Sequence, residues 1–424
     1  MAERPSGSVV RRTFRSLGEP NYRLFFVGNT SSVIGTWIQR VGQDWLVLEL
    51  TDSALALGGS MLCQFLPVLL GGAWGGVIID RTDTRRLIMV TQAAQALLAV
   101  ALAVFALTGT ATLPIVYALA LGLGVTMIVD NPARQAFVSE LVDAPNVVNA
   151  QAMNSLINNV GRLFGPALGG LLIVWLGVGV TFVVNAVSFV AVLASLFRMD
   201  VARLRPVPVA PKAPGQVREG LRYVWSHAEL RVALVLIAVV SVFGQNFRVV
   251  FPVLATQAYG GDARTYGWLT AALGAGAIMG ALVSAAATTA TSWRMMWVCC
   301  AFAAGCMAVA AAPVLSVALG AIVVLGAFNI LFNTVARTLL QLDAAPAMRG
   351  RVMAIYSMVF LGGTPIGGPL VGVFIELWGV RWGMAVSGAA CLLGCAAVAP
   401  VLVRLHRAGA HHADSGGEEE KAHH

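Results

Sequence analysis

The chain has 424 residues, of which 58% are hydrophobic and only 11% are charged. Soluble domains run nearer about 25% charged, so a water-soluble enzyme or nucleic-acid binder does not fit. The net charge of +8 is informative through its position along the chain rather than its size. Runs of about 20 apolar residues recur from end to end, the length a helix needs to cross a bilayer, and the class that fits is a polytopic membrane protein.

Residues 1–21 read as a basic arm holding Arg11, Arg12 and Arg15, with no cleavable signal peptide. Continuous rather than alternating apolarity predicts helices, not barrel strands. Six spans are expected near 24–49, 54–79, 87–108, 113–138, 147–175 and 179–198, within an N-terminal bundle of residues 22–198. The linker 199–229 is first Pro-rich (Pro206, Pro208, Pro211, Pro214), then amphipathic through VREGLRYVWSHAEL. Its second part predicts a helix lying on the membrane surface. Six more spans are expected near 230–256, 265–288, 295–312, 315–340, 350–377 and 381–403, forming a C-terminal bundle of residues 230–403. The tail 404–424 carries most of the histidines and is expected to be disordered.

The loops divide by charge. Arg81, Arg85 and Arg86 follow the second span, and Arg198, Arg203, Arg205, Lys212, Arg218 and Arg222 follow the sixth. Arg294, Arg349, Arg351, Arg404 and Arg407 fall on the same side, while the opposite loops hold little charge. This bias predicts that both termini are cytoplasmic. The two halves also repeat at an offset of about 203 residues by inspection: Arg134 with Arg337, Gly165 with Gly368, Pro166 with Pro369, Gly169 with Gly372 and Trp175 with Trp378. The six cysteines fall inside apolar runs without metal-ligand spacing, so small packing residues are expected and no metal site.

Two motifs carry more than packing. GVIIDRTDTRR places Gly76 for close helix approach, and Asp80, Arg81, Arg85 and Arg86 where a helix leaves the membrane. GRLFGPALGG packs Gly161, Gly165, Pro166, Gly169 and Gly170 into ten positions, which in lipid lets two backbones approach and bend. The first resembles the signature between the second and third spans of the major facilitator superfamily, and the second resembles the fifth-span motif of its antiporter branches. Further stretches resemble the bacterial branch that includes enterobactin exporters and macrolide or drug efflux antiporters: NYRLFF, GTWIQRV, WLVLELTDSALALG, QFLPVLLGG, DNPARQAFVSELV and MRGRVMAIYSMVFLGGTPIGGPLVG. Together they cover nearly all of 20–403. The resemblance implies an all-α fold of twelve transmembrane helices in two pseudo-symmetric six-helix bundles. It also implies a cytoplasmic gate in which the loop arginines pair with an acidic residue of the fourth span, here Asp130.

The first span is unusual for its polarity. Asn29, Ser32, Thr36, Gln39 and Gln43 recur every three or four residues and so share one stripe. Arg40 and Asp44 lie beside it, four apart and within reach of an ion pair. Charge at this depth is costly unless it meets protein or water. The fifth span offers Gln151, Asn154, Asn158 and Arg162, and the seventh Gln245, Asn246 and Arg248. Asn329 and Asn333 of the tenth and Tyr356 of the eleventh are expected to complete the lining. The resemblance puts spans 1, 5, 7 and 11 around a central cavity, where these stripes largely fall. Arg40, Arg162 and Arg248 against Asp44 make that cavity net positive, suited to anionic or neutral polar ligands, with Asp44 and Arg40 as the proton-coupling candidates.

The expected function is export of a small molecule (a drug, siderophore or secondary metabolite) from the cytoplasm by alternating access. Protons are the expected exchange partner, and the proton gradient replaces any cofactor. No phosphate-binding G-x-x-x-x-G-K-[ST] loop occurs, and an enzyme is not expected because no histidine lies in a span. A monomer in the bacterial inner membrane is expected, with no nucleic-acid partner. The alternatives are a proton-coupled importer, a facilitator of the same fold, and a non-transporting membrane sensor.

Overall fold

A computed structural model describes residues 14–205, 216–285, 290–346 and 348–421. The described residues hold thirteen α-helical segments and no strand. We label them α1 (Pro20–Thr51), α2 (Ala54–Arg81), α3 (Thr84–Leu107), α4 (Leu113–Glu140), α5 (Val147–Leu176), α6 (Val178–Phe197) and α7 (Gln216–Ser226). Then follow α8 (Ala228–Ala258), α9 (Ala263–Ala285), α10 (Ser292–Ala311), α11 (Leu315–Asp343), α12 (Arg349–Trp378) and α13 (Val380–Lys421). Eleven of them are long and apolar enough to cross a membrane on their own. The twelfth span is α1. Its 32 residues extend about 48 Å at 1.5 Å per residue, beyond the hydrocarbon thickness of about 30 Å. Its polar stripe and its charged residues Arg23, Arg40, Asp44 and Glu49 make it less apolar than the others.

Local chemistry sets the helix ends. Pro20 starts α1 at a position that needs no N–H donor. The Ser53 hydroxyl caps α2 by accepting from the Ala56 N–H, and Asp83 caps α3 by accepting from the Arg86 N–H at 2.8 Å. Glycines with positive φ, Gly177 (84°) and Gly379 (89°), end α5 and α12. Each expected span therefore lies within a few residues of an observed helix. The path of α13 continues past Arg404, where a disordered tail is expected, and most side chains beyond that point lie outside the described residues. The linker prolines Pro206, Pro208, Pro211 and Pro214 also lie outside them.

The chain forms two compact units: Met1–Pro211 with Phe251–Gly274, and Lys212–Val250 with Ala275–His424. The expected bundles divide at the linker alone. The difference is that the distal part of α8 and the first half of α9 pack with α1–α6. Glycine-to-glycine contact holds them there: a Cβ on Gly170 would stand 2.5 Å from the Ala263 carbonyl oxygen, and one on Gly267 2.7 Å from that of Pro166.

Inside the first unit, α1 and α6 pack through a ladder. Gly28, Gly35 and Gly42, seven apart, face Ser195, Ser188 and Thr181, also seven apart. A Cβ on any of the three glycines would collide with the facing hydroxyl. Each hydroxyl is satisfied within its own helix, by the carbonyls of Val192, Asn185 and Val178 at 2.6–2.7 Å. Nothing polar is left for lipid to solvate, and the backbones approach closely as small-residue faces allow.

In the second unit, Gly276 and Gly280 of α9 lie on the backbone of α11 at Val323 and Ala327. Gly363 and Gly367 of α12 lie on α8 at Ser241 and Val242. The helix α7 docks on α12 through Gly220 against Ile355 and an ion pair of Glu219 with Arg351. All six cysteines are free thiols, four of them buried. One feature of α8 has no counterpart in the apolar pattern. A π-turn at Val240–Gly244, in the second unit, interrupts the helix, and the α-helix resumes at Phe247; a second π-turn at Leu254–Ala258 lies in the part that belongs to the first unit. Asn246 donates to the Val242 carbonyl at 2.6 Å, so a side chain takes the place of a lost backbone bond. Such bulges concentrate at functional sites.

A polar cavity among the N-terminal spans

The first unit contains a cavity of about 300 Å³. Asn29, Ser32, Thr36, Gln39, Arg40 and Gln43 of α1 line it, with Asn154, Asn158 and Arg162 of α5. These nine expected residues thus meet in one place. Gln151 does not join them and instead donates to the Gln135 carbonyl at 3.2 Å.

The geometry revises what the stripe on α1 does. Gln39 and Gln43 are buried and bonded away from the open space. Gln39 accepts from Asn185 of α6 at 2.7 Å, and Gln43 donates to Ser60 of α2 at 3.0 Å. Each is thus held at one end by a neighbouring helix while it lines the cavity. Asn29 donates to Asn154 at 2.9 Å, joining the two stripes.

Asp130 also takes a different place from the one the resemblance implies. It is buried, pairs with Arg134 one turn on at 3.0 Å, and accepts from Thr91 (2.6 Å) and Gln92 (2.9 Å). Arg134 continues the chain to Asn29 and Ser32. In this structure Asp130 is therefore a member of the cavity wall, bonded to Arg134, Thr91 and Gln92. The loop arginines lie elsewhere: Arg85 donates to the Leu196 carbonyl at 2.9 Å, and Arg81 and Arg86 are exposed. Gly76 lies within α2, and the side chain of Asp80 is outside the described residues.

Asp44 does not line the cavity. It is 1% exposed and accepts a hydrogen bond from the Tyr266 hydroxyl of α9 at 2.8 Å. Beside it, the glycine motif of α5 explains its own spacing. Gly161 and Gly165 receive Trp37, Gly169 receives Ile38 and Val41, and Gly170 receives α9. Pro166 is buried within the same helix. The Arg40 guanidinium lies 4.5 Å from the centre of the Trp37 ring, and that of Arg162 lies 5.7 Å from it.

The second unit keeps its own polar group. Gln245 donates to Asn333 at 3.2 Å, and Asn333 to Asn329 at 2.9 Å. Asn246 and Arg248 flank the interruption of α8, and Tyr356 stacks on Phe360 with ring centres 5.7 Å apart.

Gln64, Gln95, Asp130, Asn131, Arg134, Gln135 and Asn185 complete the cavity wall from spans not expected to contribute. Amides in otherwise apolar runs were the available signal for Gln64, Gln95 and Asn185, and the polar run DNPARQ was the signal for the other four. Tyr266 and Trp37 had none, since an aromatic residue in a span ordinarily packs.

Spanning helices along the chain, with a polar cavity among α1–α6, define a membrane transporter of the major facilitator fold. The fold matches that of a bacterial homologue of the iron transporter ferroportin in an inward-facing state, with TM-score 0.70, 15% identity, and 93% of this chain and 99% of that one covered. It also matches the nucleoside transporter NupG, with TM-score 0.71, 10% identity, and 90% and 99% covered. Residues 12–420 fit the family model described as transmembrane secretion effector, and the chain belongs to that family.

Among its relatives are the staphyloferrin A transporter of Staphylococcus aureus (25% identical, 86% of this chain and 92% of the relative covered) and the multidrug efflux pump Tap of Mycolicibacterium fortuitum (27%, 86% and 91%). The enterobactin exporter EntS of Shigella flexneri is 23% identical, with 92% and 93% covered. The chain is a multi-pass protein of the inner membrane, and its family and fold are those of transporters rather than enzymes.

Proposed function

We propose that the chain exports a small molecule (a drug, siderophore or secondary metabolite) by alternating access in exchange for protons. The observation that carries the transport reading is the amide- and arginine-lined cavity inside the N-terminal spans. Polar groups at that depth are expensive and are ordinarily retained for a permeation task. The direction is supported by relatives that are an efflux pump and an exporter.

The proton role falls to Asp44. As a carboxylate it receives a charge-assisted hydrogen bond from Tyr266, roughly twice as strong as a neutral one. Protonation replaces that negative acceptor with a neutral acid and loosens the tie between α1 and α9. Because Asp44 is outside the cavity, the proton acts on the packing of α9 and the cargo acts on the cavity wall.

Everted membrane vesicles test this with ethidium and radiolabelled 1-naphthoate as cationic and anionic probes. An imposed inside-acid gradient drives accumulation of at least one of them. Asp44→Asn abolishes the gradient-driven accumulation yet leaves probe counterflow. Accumulation of neither probe by the wild type removes the export reading, and unchanged gradient drive in Asp44→Asn removes the proton assignment.

A further inference from the structure

The cavity stripe of α4 changes character along its length. Leu123, Met127, Asn131 and Gln135 all line the cavity at steps of four, so they follow one face of the helix over about 18 Å. The first two are apolar and the last two are amides. Val33 and Trp37 of α1 and Phe189 of α6 add to the apolar lining.

The polar groups of the cavity differ in what they have left to offer. Arg134 is held by Asp130, Asn29 and Ser32. Arg40 and Arg162 lie against the Trp37 ring, and Arg40 has a further contact inside the protein. Gln39, Gln43 and Gln95 are bonded to Asn185, Ser60 and Thr126. By contrast, among the described residues, the side chains of Thr36, Asn131 and Gln135 make no hydrogen bond. Asn158 donates to the Asn154 carbonyl at 2.9 Å and keeps its own amide oxygen. Three helices, α1, α4 and α5, thus present neutral groups with both donors and acceptors to give, since a carboxamide carries both in one plane and a hydroxyl carries both on one atom.

We propose that Thr36, Asn131, Gln135 and Asn158 form the seat for a polyhydroxylated group, and that the cargo joins such a polyol head to an apolar body. The proposal rests on the transport reading of the cavity. A carboxylate or phosphate brings acceptors alone, which suits Arg162 but leaves the amide oxygens of Asn131, Gln135 and Asn158 facing no donor. A hydroxyl donates and accepts at once, and several on one ring reach groups set on three helices. The apolar body lies along Leu123 and Met127, where leaving water is favourable. The volume of about 300 Å³ is at the lower end for small-molecule sites and takes a sugar-sized ring with one aromatic ring attached. A site built to bond hydroxyls also rejects the analogue that lacks them, because its own polar groups are then left unpaired.

Equilibrium dialysis of the full chain in phosphatidylcholine nanodiscs, free of sugar-based detergent, tests the seat. The probes are phenyl β-D-glucopyranoside, the hydroxyl-free ether 2-phenoxytetrahydropyran, and the anionic phenyl β-D-glucuronide. The wild type binds the glucoside at least about tenfold more tightly than the ether, the scale of two neutral hydrogen bonds. It binds the glucuronide about as tightly as the glucoside. The double variant Asn131→Ala with Gln135→Ala lowers glucoside affinity about tenfold and leaves ether affinity unchanged. If that variant fails to fold, Thr36→Val, which keeps the side-chain shape, serves instead and weakens the glucoside several-fold. Wild type that binds no probe, binds glucoside and ether alike, or prefers the glucuronide by about tenfold overturns the proposal. Glucoside affinity unaltered in the variant that folds overturns it too. No gradient is present in dialysis. Glucoside that binds while neither vesicle probe accumulates therefore refutes export and leaves the seat standing, whereas vesicle accumulation without a preference for the glucoside does the reverse.

Discussion

At the scale of single residues, Asp130 shows how burial fixes a role. Its carboxylate satisfies Arg134, Thr91 and Gln92 together, so its removal strands a buried guanidinium and two donors at once. Breaking a buried pair from one side costs about 3–5 kcal/mol. Asp130→Ala is expected to lose most of its folded fraction by thermal unfolding in detergent, and Asp130→Asn, which keeps an acceptor, much less. An Asp130→Ala protein that melts with the wild type would show that the pair carries little. The acid and base one turn apart in DNPAR were legible as a pair. Chain proximity alone does not show which cationic neighbour a buried acid faces, and here it is Arg134.

At the scale of helices, apolar length located the spans, since hydrocarbon thickness and N–H satisfaction leave little freedom. The stripes of α1 and α5 were legible for the same reason, because polarity at depth is rare. The interruption of α8 was not, since Gly244, Gln245 and Asn246 also read as ordinary span polarity until the Asn246 bond to Val242 is seen.

Glycine spacing predicts contact but not which helix supplies it. On α9, a Cβ at Gly276 would collide with the Val323 carbonyl of α11, whereas Gly320 has open space around its Cβ position. Gly276→Ala is expected to cost about 1–3 kcal/mol through overpacking. Gly320→Ala is expected to be neutral or to gain up to about 1 kcal/mol in helix propensity. Detergent melting curves of the two variants check this, and equal shifts would remove the packing account of α9.

At the scale of the whole molecule, the charge of the loops bears on orientation. Arginine-rich loops such as Arg81–Arg86 and Arg198–Arg205 alternate with loops of little charge, and the positive-inside bias predicts that both termini are cytoplasmic. Green fluorescent protein fused after His424 is expected to fluoresce, and alkaline phosphatase fused there to be silent. The opposite pattern would invert the topology and the direction argument with it.

The seven-residue ladder between α1 and α6 has a mechanical consequence. Successive rungs are about 10.5 Å apart along the helix at 1.5 Å per residue. A slide by less than one rung drives each hydroxyl of Ser195, Ser188 and Thr181 out of its glycine hole and into a larger side chain. The pair is therefore a vernier with a single setting. A displacement of α1 would therefore be carried to α6 rather than absorbed as slip, and Asn185, one turn from the middle rung, ties the same pair of helices through Gln39.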